Sequence, residues 1–286
     1  MTPKLERVPV ADGVALNTAV WEGGGRRPFL LVHGLSSNLR TWEGVADRLH
    51  EIGHPVAAVD MRGHGLSDKP DGGYDFATLT SDVLALMDAL GLDRPVVAGQ
   101  STGGNLAVKL ASRSSEAVAG AVGVDGGILE LQEQWPVWED CADALKPPAL
   151  AGTPLSKIRE HIRTSHPDWS EEGVAATLAN LEVLPDRTVR PWLTLDRHMQ
   201  LLRSLWEHRP SQIVPTLRVP LLLLLADPGD DSVEHNRRAA ERAVATDPGR
   251  VIVKWFSPGD HDLHVQHPAA VADRLAEAVS NGFFPS

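Results

Sequence analysis

Short all-apolar runs alternate along this chain with stretches whose apolar residues recur at helical spacing, and few folds accept that rhythm. Val14 to Val20, Pro28 to His33, Val56 to Asp60, Val96 to Gln100, Ala119 to Asp125, Leu221 to Ala226 and Val251 to Phe256 read as strands. Trp42 to Ile52, Leu79 to Gly91, Thr102 to Ser112, Glu234 to Ala245 and Pro268 to Val279 read as the helices between them. A strand without a polar side must be covered on both faces. The alternation therefore predicts an α/β fold, a mostly parallel twisted sheet with helices on both faces. In such sheets reactive groups gather at the carboxyl ends of the strands. The longest purely apolar run, Leu221 to Ala226, is far too short to cross a bilayer.

From about Gly127 to Val214 the rhythm stops. No strand is evident there, only helix-like segments cut by Pro136, Pro147, Pro148, Pro154, Pro167, Pro185, Pro191 and Pro210. The reading is a helical insertion over 127–214 that divides one core domain into 1–126 and 215–286. Five of the eight tryptophans fall inside it: Trp135, Trp138, Trp169, Trp192 and Trp206. A small insert needs large side chains to make any core of its own. Equally, Trp135, Trp138, Trp192 and Trp206 are candidates to wall a pocket for a bulky apolar ligand.

The segment Val96-Val97-Ala98-Gly99-Gln100-Ser101-Thr102-Gly103-Gly104-Asn105 carries the strongest chemical signal, an apolar strand running through G-x-S-x-G into a helical stretch. A tight strand-to-helix turn strains the serine backbone and needs small neighbours, which Gly99 and Gly103 supply. It lifts the Ser101 hydroxyl clear of the sheet and aims the first NH groups of the helix at negative charge forming nearby. Upstream, the strand from Pro28 ends in His33-Gly34-Leu35-Ser36-Ser37, a loop whose Leu35 amide can face the Thr102 amide across an oxyanion hole. Next comes the turn-rich Asp60-Met61-Arg62-Gly63-His64-Gly65-Leu66-Ser67-Asp68-Lys69-Pro70. Near the end, Ser257-Pro258-Gly259-Asp260-His261-Asp262-Leu263-His264 follows the last strand and puts His261 where a loop histidine can reach back to Ser101.

In this order, and over nearly the whole chain, these segments resemble the alpha/beta-hydrolase superfamily, in its capped branch of esterases, lactonases, epoxide hydrolases and haloalkane dehalogenases. The resemblance implies Ser101 as nucleophile, His261 as base, Leu35 and Thr102 as oxyanion donors, and the insertion as a cap over the site. His264 and His267 compete with His261. The resemblance favours His261, which stands at the family's usual distance before the proline that opens the final helix, Pro268. It also makes His33 and His64 structural or pocket-lining. The triad acid stays open between two residues. In most of the family it follows the strand after the cap, here Ala226-Asp227-Pro228-Gly229-Asp230-Asp231, with Asp230 nearest the usual place. In another branch it follows the strand after the nucleophile turn, where Asp125 stands at the usual distance and heads Asp125-Gly126-Gly127. Asp125 is preferred, with Asp230 as its rival.

The expected reaction is acyl transfer to water, with a carboxylic ester or lactone carrying a bulky hydrophobic body as substrate. A serine at the nucleophile position disfavours dehalogenase and epoxide hydrolase chemistry, which the family performs with a carboxylate there. Carbon–carbon bond hydrolysis of diketones, or a slow-turnover ligand receptor on the same fold, are the alternatives. No dinucleotide fingerprint or phosphate loop implies a cofactor, and no cysteine or carboxylate array joins the histidines to imply a metal. The balance of 27 Lys and Arg against 38 Asp and Glu gives a net charge of −11, which repels nucleic acid and anionic membranes. The stretch Met1 to Val10 lacks the apolar core of a secretory signal, and the single Cys141 forms no intrachain disulfide, so a cytoplasmic location is expected. A homo-oligomer stays open.

Overall fold

The computed structural model describes residues 2–11, 13–230 and 233–285. Met1, which heads the N-terminal stretch, and Asp231, which closes the loop after the run Leu221 to Ala226, lie outside them. In chain order the strands are β1 (Lys4–Ala11), β2 (Val14–Trp21), β3 (Phe29–Val32), β4 (Val56–Val59), β5 (Val96–Gln100), β6 (Gly120–Val124), β7 (Thr153–Pro154), β8 (Leu181–Val183), β9 (Thr188–Pro191), β10 (Leu221–Ala226) and β11 (Val251–Phe256). The helices are α1 (Glu43–Glu51), α2 (Phe76–Ala89), α3 (Thr102–Arg113), α4 (Leu131–Gln134), α5 (Trp138–Ala144), α6 (Leu155–Ser165), α7 (Glu171–Leu178), α8 (Leu195–Glu207), α9 (Pro210–Ile213), α10 (Glu234–Thr246), α11 (Leu263–Gln266) and α12 (Pro268–Ser280).

Eight strands form one sheet in the order β1-β2-β4-β3-β5-β6-β10-β11. β2 is antiparallel to β1 and to β4, and every other neighbouring pair is parallel. Along β3 the apolar side chains alternate between two layers. Leu30 and Val32 pack with Leu86 of α2, Leu110 of α3 and Ala240 of α10, while Phe29 and Leu31 pack with Leu49 of α1 and Leu275 of α12. Each large apolar side chain buried this way contributes roughly 1.5–3 kcal/mol, which is why the central strands carry no polar side. β1 was not among the expected strands. It is an edge strand whose exposed positions hold Lys4, Leu5, Arg7 and Pro9, so its pattern lacks the unbroken apolar run of the central strands.

Between β6 and β10 the chain does not consist of helices alone. It holds α4 to α9 and also a three-stranded antiparallel sheet, β7-β9-β8. These strands are 2, 3 and 4 residues long, and two of them contain proline, so none is long enough to show a period of two. The hairpin β8–β9 is closed by a turn in which Leu184 NH donates to Thr188 O at 2.8 Å and Arg187 adopts φ 64. The end of α7 docks on the loop after β3, where the Asn38 amide donates to Ala176 O at 2.9 Å and to the Asn180 side chain. Among the described residues, no helix is long and apolar enough to cross a membrane.

Candidate active site

Strand β5 ends at Gln100 and α3 begins at Thr102, so Ser101 alone makes the turn, with φ 52 and ψ −120. That left-handed backbone costs a side-chain-bearing residue on the order of 1–3 kcal/mol and persists only where the surroundings enforce it. Here the turn is wedged between neighbours. A Cβ on Gly103 would strike the carbonyl oxygens of Val32 and His33, and one on Gly126 would lie 2.7 Å from Ser101 N. Ser101 NH donates to Val124 O at 3.0 Å, which fixes the turn to the end of β6.

Parallel pairing then brings Asp125 beside Ser101. Gln100 of β5 is in register with Val124 of β6, so the next residues, Ser101 and Asp125, emerge side by side. Asp125 is buried, has φ 41, and uses both carboxylate oxygens. Oδ1 accepts from Ala226 NH at 3.1 Å, and Oδ2 accepts from His261 Nδ1 at 2.6 Å. The His261 loop is tied to the same place from a second side, where Gln100 Nε2 donates to His261 O at 3.1 Å. Ser101, Asp125 and His261 thus converge on the ends of β5 and β6. Packing of its loop tends to lower the His261 pKa. The hydrogen bond and charge of Asp125, with Asp262 and Asp260 beside it, outweigh that and hold it above its ordinary value. Its side chain is still 54% exposed, so solvent reaches the imidazole.

Asp230 lies exposed in the turn after β10. The neighbouring Asp227 carboxylate closes that turn by accepting from Gly229 NH at 3.0 Å and pairing with Arg237 at 2.8 Å. The carboxylate against His261 Nδ1 is Asp125. His264 is fully buried, tilted against Trp42 with ring centroids 4.6 Å apart, and His267 stacks on Phe256.

The loop carrying Leu35 presses on the serine, since a Cβ on Gly34 would lie 3.1 Å from Ser101 Cβ. Among the described residues, the amides of Leu35 and Thr102 donate to no backbone carbonyl, and Thr102 is the first residue of α3, where the helix dipole favours negative charge. Behind the loop is a scaffold of satisfied polar groups. Asp60 accepts from Leu39 NH at 2.7 Å, Asn17 Nδ2 at 2.8 Å and Leu66 NH at 3.0 Å. His33 donates from Nδ1 to Gly34 O at 2.7 Å and accepts at Nε2 from Met61 NH at 3.0 Å, an arrangement only the neutral ring can make. Burial pushes His33 down to about 4 and the adjacent His64 down to about 3. The turn-rich segment from Asp60 therefore builds the support of the site.

The segment between β6 and β10 touches both loops. His198 of α8 shares a 2.8 Å hydrogen bond with Ser36, and His166 and Trp169 each donate to Asp260 at 3.0 Å. Of the tryptophans, Trp138 and Trp206 meet edge to face at 5.9 Å with the Arg203 guanidinium over both, and Trp206 Nε1 donates to Trp135 O. This trio joins α4 and α5 to α8. Trp192 lies under the Lys69 ammonium, 4.7 Å from the ring centroid, and Trp169 is buried against His166. Gln100, Ser36, Asn38, His198 and Asp260 were not singled out from the sequence. Only Gln100 gave a signal, as a polar residue closing an apolar strand that needs a buried partner.

The profile of the alpha/beta hydrolase fold matches residues 27–268 of the chain. A non-heme chloroperoxidase of Streptomyces lividans is 34% identical over 107 residues, 37% of this chain and 39% of that protein. The chain spans under half the length of curated relatives it matches. Among solved structures, E-2-(acetamidomethylene)succinate hydrolase superposes with a TM-score of 0.79 at 20% identity, over 97% of this chain and 99% of the other. The enol-lactonase of Burkholderia xenovorans superposes with a TM-score of 0.67 at 20% identity, over 96% and 100%.

Proposed function

Because the chain belongs to the alpha/beta hydrolase fold family, we propose that it is a serine hydrolase that cleaves a carboxylic ester or lactone with a sizeable hydrophobic body through an acyl-enzyme. The observation that carries the reading is the Asp125–His261 hydrogen bond at the strand end beside Ser101. With Nδ1–H committed to Asp125, the neutral imidazole has its lone pair on Nε2. That atom takes the Ser101 proton as Oγ attacks the substrate carbonyl. The Leu35 and Thr102 amides receive the oxyanion, and each such donor is typically worth about 3 kcal/mol. The imidazolium returns its proton to the leaving alcohol oxygen. Water, deprotonated by the same nitrogen, then attacks the acyl carbon, and the carboxylic acid leaves with Ser101 restored.

A panel of chromogenic esters and lactones of rising bulk tests the reading. Turnover over many cycles, abolished in Ser101→Ala and rising with the size of the apolar group, supports it. Stoichiometric labelling of Ser101 without release, or equal rates in Ser101→Ala, overturns it. A preference for acetyl esters of the smallest alcohols overturns the substrate class alone.

A further inference from the structure

We propose that Asp260 is a positioning residue through which the segment between β6 and β10 holds the base, a role that rests on the hydrolase reading above. Asp260 immediately precedes His261, and its carboxylate is shared between two parts of the protein. Oδ2 accepts from His166 Nδ1 and Trp169 Nε1, both at 3.0 Å, and these donors follow α6 in the inserted segment. Oδ1 accepts from Asp262 NH at 2.9 Å, and Asp260 NH donates to Gln266 Oε1 at 2.9 Å, inside the histidine loop itself. A second tie repeats the connection, as Gln266 Nε2 donates to Asp168 at 2.7 Å.

The donors are themselves fixed. His166 stacks on Trp169 with centroids 3.9 Å apart, and Trp169 is 3% exposed in a small core with Ile162, Val174 and Val265. A carboxylate gripped by an indole and an imidazole on one element, and by a backbone amide on the other, sets the distance between the two. His261 is then located on three sides: Asp125 at Nδ1, Gln100 at its carbonyl oxygen, and the inserted segment through the residue before it. Displacement of a reacting group by about 1 Å commonly costs on the order of 100-fold in rate, so this third hold is one that turnover can read.

Asp260 also acts on His261 by charge. The groups that bear on the imidazole are Asp125 at the end of β6, Asp260 and Asp262 in its own loop, and His264 at the start of the following helix, while His166 faces Asp260 from the inserted segment. Asp260 is one of the carboxylates that raise the His261 pKa.

The test compares Asp260→Asn, Asp260→Ala and Trp169→Phe in the full chain. Trp169→Phe keeps an aromatic side chain and leaves the Asp260 charge in place, while it deletes the indole N–H together with some buried volume. Ester hydrolysis should show kcat lowered about tenfold in Asp260→Ala and a few-fold in Trp169→Phe, with KM within twofold in both. NMR titration of the His261 ring should show its pKa falling in Asp260→Asn and staying in place in Trp169→Phe. Asp260→Glu should recover part of the lost kcat. Unchanged kcat in both Asp260→Ala and Trp169→Phe overturns the proposal, as does an unmoved His261 titration in Asp260→Asn. The titration needs no substrate, so it still decides the proposal if the chain cleaves no ester, an outcome that counts against the hydrolase reading instead.

Discussion

Replacing Asp125 with asparagine isolates the most specific feature of the site. The carboxylate faces two donors, Ala226 NH on Oδ1 and His261 Nδ1–H on Oδ2, whereas an amide offers one oxygen and one NH2. The Ala226 amide is locked in β10 between β6 and β11 and cannot turn away. The imidazole can change tautomer. The amide oxygen therefore goes to Ala226, the NH2 faces His261 Nδ1, and the ring proton moves to Nε2, where it blocks transfer from Ser101. The same tautomer error in a serine protease triad drops kcat by about 10⁴-fold, equivalent to about 5.5 kcal/mol of barrier, and a loss of that order is expected here. Folding stability should fall by only about 1 kcal/mol, since Ala226 keeps its acceptor.

The assay is ester turnover beside a thermal melt, with Asp230→Asn in parallel and expected to stay within about threefold of the parent. An Asp125→Asn enzyme retaining more than a tenth of parental kcat, or an Asp230→Asn enzyme that is crippled, refutes the assignment. The acid limb of kcat/KM follows loss of the His261 proton, and removing the Asp125 charge shifts that limb to lower pH. Because the folded imidazole pKa is raised, the pair's contribution to stability is fully present below the unfolded value and is lost as pH rises through the folded one. With half the side chain in solvent, that contribution is small.

Ser101→Gly should abolish turnover yet raise Tm by roughly 2 °C, since glycine relieves the strain at φ 52; a lower Tm contradicts the strained turn. Asp82→Ala leaves the Arg62 guanidinium, 7% exposed, without its bidentate carboxylate and should cost about 3–5 kcal/mol by urea titration; a loss under 1 kcal/mol would show the charge finding another partner. Burial holds His33 and His208 down to about 4 and His64 and His264 down to about 3. Each refuses a proton that the unfolded chain takes up below about 6.5, so stability falls as pH falls, by about 1.4 kcal/mol per group and pH unit. Thermal melts followed by circular dichroism should show Tm falling as pH drops from about 6.5 toward 4.5; an unchanged melt at pH 4 would contradict this.

The core of the fold follows from local pattern. β5 and β10 lie where their apolar runs begin and end, because a strand buried on both faces admits few polar side chains and announces its limits at Gln100 and Ala226, while the edge strand β11 is marked by its β-branched and aromatic residues although Lys254 and Trp255 face solvent. The turn at Ser101 is equally local, since Gly99 and Gly103 exist to let neighbouring backbones approach. The small sheet β7-β9-β8 left no such mark. Its strands are too short to show a period: β8 and β9 hold each other through a short hairpin, and β7 exists only because β9, far along the chain, supplies its hydrogen bonds.

Contacts between distant residues leave still less trace in one sequence. Two acids, Asp125 and Asp230, both stand after strands and both suit the motif logic. The parallel register of Gln100 with Val124 and the reach of the His261 loop put Asp125 against the imidazole, and no local propensity encodes that pairing. The tryptophans make the same point. Composition marks Trp138 and Trp206 as large apolar surfaces in need of cover, while the packing of α5 on α8 turns them toward each other and Arg203. Period and turn chemistry act over a few residues and are written there. The choice of acid, the bond from Asp260 to His166 and Trp169, and the hold of Gln100 on His261 span long stretches of chain and arise only once the sheet has set its strand order.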